Sequence, residues 1–170
     1  MPVLSSDALE DQFGPVQLEI LYQNKINRII ATKVAGSGQI LELSRVSFRS
    51  EGTAAFPDIH RKIIAGASMG KAFADSAVPF NRQVRASYRY DQHSLPVIFT
   101  QWFGTPKPPA VTSVSIVVGP DDVPYADILE VYSPEVLPWE LTEDGMNQAV
   151  IDQVNTFGAA LAALTAADTP

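Results

Sequence analysis

Residues 81–103, NRQVRASYRYDQHSLPVIFTQWF, decide how the rest of the chain is read. Two runs rich in β-branched and aromatic residues flank the polar DQHS. That pattern predicts a hairpin with its turn over residues 91–94 and its second strand over residues 95–103. With Tyr90 opposite Leu95, strand alternation places Val84, Ala86, Tyr88 and Tyr90 on one face with Leu95, Val97, Phe99 and Gln101. Gln101 is then an amide on an apolar surface. A buried amide without partners costs roughly 1–3 kcal/mol, so a backbone group, a water or a ligand's hydroxyl or carbonyl has to meet it.

Working outward, VQLEILYQ (residues 16–23) alternates Val16, Leu18, Ile20 and Tyr22 with Gln17, Glu19 and Gln23, the pattern of a half-buried strand. Its N-terminal neighbour DALEDQF (residues 7–13) reads as a short helix capped by Ser5 or Ser6 and ended by Gly14 and Pro15. ATKVAGSGQ (residues 31–39) reads as a loop from its Gly and Ser content, and ILELSRVSF (residues 40–48) as the next strand. There Arg45 alternates with Leu41 and Leu43. Arginine is seldom fully buried unless paired, and its planar fork suits a carboxylate. A ligand, an internal salt bridge, or a register that sends Arg45 to solvent and turns Ser44 and Val46 inward account for it equally well.

DIHRKIIAG (residues 58–66) and MGKAFADS (residues 69–76) read as short helices, the second capped by Ser68. PKPPAVTS (residues 106–113) is proline-rich and extended, VTSVSIVVG (residues 111–119) alternates as a strand, and PYADILEVY (residues 124–132) fits a helix or a strand. Residues 143–167 carry Met146, Val150, Val154, Phe157, Leu161 and Leu164 at helical spacing, which predicts one long helix. Strands and helices mix without regular alternation. The expected class is therefore α+β with an antiparallel sheet, residues 1–170 forming one domain.

The net charge of −7 argues against a nucleic-acid partner. With no cysteine and two histidines, a zinc centre lacks ligands, and no metal or cofactor is expected. His60 and His93 read as solvated. The adjacent acids of VGPDDVP (residues 118–124) lack the further ligand spacing of a calcium loop. No basic leader and no apolar run near ~20 residues is visible, so the expectation is a cytoplasmic protein without a membrane partner.

LSSDALEDQF (residues 4–13), LSRVSF (residues 43–48), GASMGKAFADSAVPFNRQ (residues 66–83) and RYDQHSLPVIFTQWFGTP (residues 89–106), taken in that order, resemble the chorismate lyase family. Members of that family eliminate pyruvate from chorismate to leave 4-hydroxybenzoate. The same fold occurs in the ligand-sensing domains of GntR-type regulators. The resemblance implies an antiparallel sheet with short helices enclosing a small-ligand cavity. It implies that Arg45 grips a carboxylate with help from the backbone near Leu9, and that Met69 and Gly70 line the cavity. Gln101 stands where the family has a glutamate that contacts the ring hydroxyl, with Tyr88 and Phe99 on the same face. An amide keeps the shape of that glutamate but cannot ionise.

Residues 52–57 are too few for the strand the family inserts there. Residues 107–170 have no counterpart; their C-terminal helix is expected to cover the open side of the sheet or to form a homodimer contact. The resemblance implies a cofactor-independent lyase for a small carboxylated cyclic or polyketide-type substrate, chorismate or one of secondary metabolism. The alternatives are a non-catalytic binding module that kept the cavity and lost the catalytic carboxylate, or an interaction domain whose interior is filled by side chains.

Overall fold

A computed structural model describes residues 5–90, 94–141 and 147–167. The chain begins with α1 (Ser5–Phe13), ended by Gly14 at φ 79°, and continues through β1 (Val16–Gln23), β2 (Asn27–Val34) and β3 (Ile40–Phe48). The ATKV segment read as loop is the second half of β2, since Thr32 and Lys33 pair with β3. Three short helices follow: α2 (Ser50–Ala55), α3 (Pro57–Ile64) and α4 (Met69–Asp75). Ser68 caps α4, its hydroxyl accepting from the Lys71 amide at 3.3 Å. Then come β4 (Phe80–Arg89), α5 (Val97–Phe103), β5 (Ala110–Val118), β6 (Val123–Tyr132) and α6 (Gln148–Ala167).

The class is α+β: six strands form one antiparallel sheet in the order β1-β2-β3-β6-β5-β4. Residues 107–170 thus supply the two strands that join β3 to β4. PYADILEVY is a strand, and it closes a hairpin with β5 across Gly119–Asp122, with Gly119 and Asp122 both at positive φ.

The hairpin expected over residues 81–103 does not form. β4 pairs with β5, and residues 97–103 are helical. Pro96 stands at the N-cap of α5 and Gly104, at φ 72° and ψ 18°, ends it in the left-handed region, its amide donating to the Thr100 carbonyl at 2.9 Å. Inside those brackets Leu95, Ile98, Phe99 and Trp102 fall at helical spacing and pack together, while Val97 and Gln101, four apart, face outward. Tertiary packing overrides the strand propensity of Val-Ile-Phe. The proposed turn residues 91–93, His93 included, lie outside the described residues.

α5 and α6 cover one face of the sheet. Val150, Val154, Phe157 and Leu161 of α6 meet Ile29, Ala31, Leu43, Val111, Leu129 and Val131, and Phe99 meets Phe157 edge-on at 5.4 Å. Each such side chain contributes about 1.5–3 kcal/mol on burial. The helical spacing read from the sequence holds from Val150 onward; Met146 lies outside the described residues. α6 has a mean hydropathy of 1.2 over Gln148–Ala166, so by length and composition it is apolar enough to cross a membrane, contrary to the expectation that no such run exists. Its apolar stripe is packed on the sheet.

The opposite face is covered by α1, α3 and α4. α2 fills the short segment 52–57 and docks on β6: a Cβ on Gly52 would lie 2.5 Å from the Pro124 carbonyl oxygen, so only glycine permits this approach.

Candidate functional site

The side chains that alternate away from the α5/α6 face are not uniformly apolar. β2 turns Arg28, Ile30 and Thr32 to the α1/α4 face, β3 turns Glu42, Ser44 and Val46, and β6 turns Ile128 and Glu130. β4 adds Phe80 and Arg82. Register places these in rows: Thr32 beside Glu42, Ile30 beside Ser44 and Glu130, Arg28 beside Val46. Ser5 and Ser6 of α1 and Ser68, Met69 and Gly70 at the start of α4 close over them. The cavity so formed is about 120 Å³. Sites for drug-sized ligands run to about 300–1,000 Å³, so this one suits a compact guest.

Its electrostatics separate into two ends. At one, Arg82 is tied down on both terminal nitrogens. Nη1 donates to Glu140 Oε2 at 2.6 Å, Nη2 donates to Glu140 Oε1 at 2.7 Å, and Nη2 also donates to Glu130 Oε1. The side chains of Arg82 and Glu130 are each 4% exposed. Burial acts to lower the Arg82 pKa, but the hydrogen bond to Glu140 and the charge of Glu130 outweigh it and hold the guanidinium above its ordinary value. Burial raises Glu130, against the pull of Arg82. Nearby, Ser87 and Thr112 share a hydroxyl–hydroxyl hydrogen bond of 2.8 Å.

Glu42 stands on β3 with a different fate. It is 3% exposed, and burial, followed by the charge of Glu130, holds its carboxyl well above the usual carboxylate range. Ser5 and Ser44 hydroxyls hydrogen-bond to it, yet Oε2 meets no hydrogen-bond partner among the described residues.

Arg28 occupies the other end. It is 2% exposed, and among the described residues Nε has no hydrogen-bond partner. Nη1 donates to the Ile63 carbonyl of α3 at 3.3 Å. Burial lowers its pKa from the ordinary value. Behind it, burial raises the Tyr125 phenol, whose hydroxyl lies 2.7 Å from His60 Nδ1. His60 is half-buried against Phe48, at 4.9 Å between rings, which corrects its reading as a solvated histidine.

Met69 and Gly70 do line this cavity, where the resemblance put them. Leu9 is fully buried against Leu41, Tyr132 and Val136, beside the cavity rather than on its wall. Arg45 follows Leu43 onto the α5/α6 face, because residues 41, 43 and 45 alternate with the cavity-lining 42, 44 and 46. It borders an open cleft of about 620 Å³ with Ser47, Arg85, Asp127 and Asp152. The inward turn of Ser44 and Val46 is the observed register.

Tyr88 and Phe99 belong to the apolar core under α6, and burial pushes the Tyr88 phenol up to about 12. Gln101 is exposed on α5 and lines neither space. Arg45 and Gln101 thus share no cavity, and the charged side chains that do share one are Arg28, Glu42, Glu130 and Arg82. Three of them carried a signal in the sequence: Arg28, Glu42 and Glu130 adjoin Leu, Ile or Val inside strands, whereas Arg82 lies between Asn81 and Gln83. It went unread for Arg28 because residues 24–30 were given no element, for Glu130 because residues 124–132 were left between helix and strand, and for Glu42 because the Arg45 side of β3 was followed instead. Among the described residues no three His, Asp or Glu side chains gather as metal ligands.

No protein-family model matches the sequence, and no curated protein matches it. Solved structures do match. A GntR-family transcriptional regulator from Bacillus cereus is 10% identical over 76% of this chain and 99% of its own, with a TM-score of 0.46. The effector domain of PhnF from Mycobacterium smegmatis is 8% identical over 77% and 84%, with a TM-score of 0.43. A GntR-family transcriptional regulator from Enterococcus faecalis V583 is 8% identical over 76% and 96%, with a TM-score of 0.40. These chains are what this one is similar to in its course through space.

Proposed function

We propose that this protein is a small-molecule-binding module whose cavity holds a compact anion, a carboxylate or phosphate, on Arg28. The observation that carries the reading is a guanidinium withdrawn from water, lining a cavity, with Nε unpartnered and no carboxylate bridged to it among the described residues. Leaving a buried charge unpaired is costly, and an anionic guest removes that cost. The planar fork matches a carboxylate or phosphate through two parallel hydrogen bonds.

The test is thermal denaturation with a panel of compact carboxylates and phosphate monoesters. At a hundredfold excess over Kd, a ligand adds about 2.7 kcal/mol. For a chain of this size that is roughly 5–10 °C in Tm. Arg28→Gln is expected to abolish the shift, and Arg45→Ala to leave it intact. The reverse pattern would transfer the site to the α5/α6 face.

Turnover is the second reading, favoured by Glu42, a buried carboxyl in the same cavity whose hold on its proton burial strengthens, so that it can act as an acid toward a guest. A lyase of the expected kind would release 4-hydroxybenzoate from chorismate, or an analogous product from a related substrate, and would lose activity in Glu42→Gln. Chorismate that stabilises the fold but persists unchanged returns the protein to the binding reading.

A further inference from the structure

An anion on Arg28 leaves the other end of the cavity unexplained. Both terminal nitrogens of Arg82 are engaged by Glu140 and Glu130, so Arg82 has no charge to lend. Glu42 is left over, buried, with Oε2 unpartnered among the described residues. The groups that face it are Glu130 and Tyr132 of β6, Arg82 of β4, Ser5 of α1 and Ser44 of its own strand. None of them is a free cation. Arg82 is already shared by Glu130 and Glu140, so no cation among the described residues is left for Glu42.

The two unsatisfied groups are also apart. Arg28 stands in register with Val46, four residues along β3 from Glu42. That is about 13 Å of strand, shortened by two long side chains that reach into the same space. A guest that satisfies both ends must be charged at both.

We propose that the ligand is a compact zwitterion of the amino-acid type, its carboxylate or phosphate on Arg28 and its protonated primary amine on the open oxygen of Glu42. This rests on the anion-binding reading above. A hydroxyl would meet the oxygen but supply no charge; an ammonium supplies three donors and a charge that favours the ionised carboxyl. In the empty cavity Glu42 keeps its proton. An arriving ammonium favours the ionised carboxyl, so binding is expected to release protons to solvent.

Matched pairs test this by isothermal titration in two buffers of different ionisation enthalpy. The pairs are 4-aminobutyrate against butyrate, 5-aminovalerate against valerate, and 2-aminoethyl phosphate against ethyl phosphate. The aminated member of the carboxylate or the phosphate pairs is expected to bind at least tenfold tighter, with proton release that its partner lacks. Which pair binds identifies the anion. Glu42→Gln is expected to erase the amine's advantage and the proton release. If that variant fails to fold, the wild-type ratio and proton count decide alone.

Plain acids binding as tightly as their aminated partners overturn the proposal and leave the Arg28 site standing. An amine preference that persists in folded Glu42→Gln overturns it as well. Binding by no member of any pair overturns both readings.

Discussion

The two faces of the same sheet solve opposite problems. Under α5 and α6, strands contribute Ile29, Ala31, Leu43, Val111 and Val131, and the helices answer with Phe99, Val154, Phe157 and Leu161, so apolar atoms fill the space. Under α1 and α4, the same strands contribute Arg28, Glu42, Glu130 and Arg82, and a cavity remains. Side chains on one face are one residue out of step with those on the other, so a shift of one position separates a packed core from a charged chamber. Burying charge adds little or nothing to stability compared with apolar packing of the same volume. The face that keeps four ionisable groups is therefore the less stabilising of the two.

The largest expected effect comes from breaking the charged face. Arg82→Ala strands Glu130 and Glu140 without their shared cation, and a loss of about 3–5 kcal/mol is expected in urea denaturation. An apolar double replacement of Arg82 and Glu130 should recover much of that loss. If Arg82→Ala alone is neutral, the two faces do not differ as described.

A smaller effect, of opposite sign, is expected at Glu42. Its folded-state pKa is raised, first by burial and then by Glu130, so the folded chain holds this proton more tightly than the unfolded chain. The stabilisation is complete below the ordinary value of 4.5 and is lost as pH climbs from there through the raised value. Glu42→Gln removes that loss. The variant should match or trail the wild type at acidic pH and exceed it as pH rises, by an amount on the order of 1–3 kcal/mol. Tm measured against pH for both proteins reads this directly, and parallel curves would show that Glu42 does not titrate in this manner.

The smallest effect is expected at Gln101. On the outer side of α5, Gln101→Ala should change stability by less than about 0.5 kcal/mol and leave ligand-induced shifts untouched. A large loss would restore the amide to an interior strand.

How much of this was legible depends on which signal each segment carried. β1 was placed as a strand, yet Leu18, Ile20 and Tyr22, expected on its buried side, are exposed, and its register shifts between Ile20 and Tyr22. β3 and β5 were readable as strands from their alternation. The apolar spacing of α6 was readable for the same reason at the helical period. The misreading of residues 95–103 came from weighing the residue types Val, Ile and Phe above their spacing and above Pro96 and Gly104. β4 was placed correctly, but the register break between Val84 and Ala86 put those two on opposite faces, and no single-strand pattern reveals such a bulge. Arg45 does share a face with Leu43, but that face is the one α6 covers and not the one that holds the charged cavity.

The sequence by itself determined the mixed class, the acidic charge, the alternation of most strands and the stripe of the last helix, all of which are properties of neighbouring residues. The tertiary structure alone decided which strand lies beside which, and therefore that Arg28, Glu42, Arg82 and Glu130, up to 102 positions apart in the numbering, face one chamber. Hydrogen-bonded register between distant strands sets that gathering, and register is fixed by the packing of both faces at once.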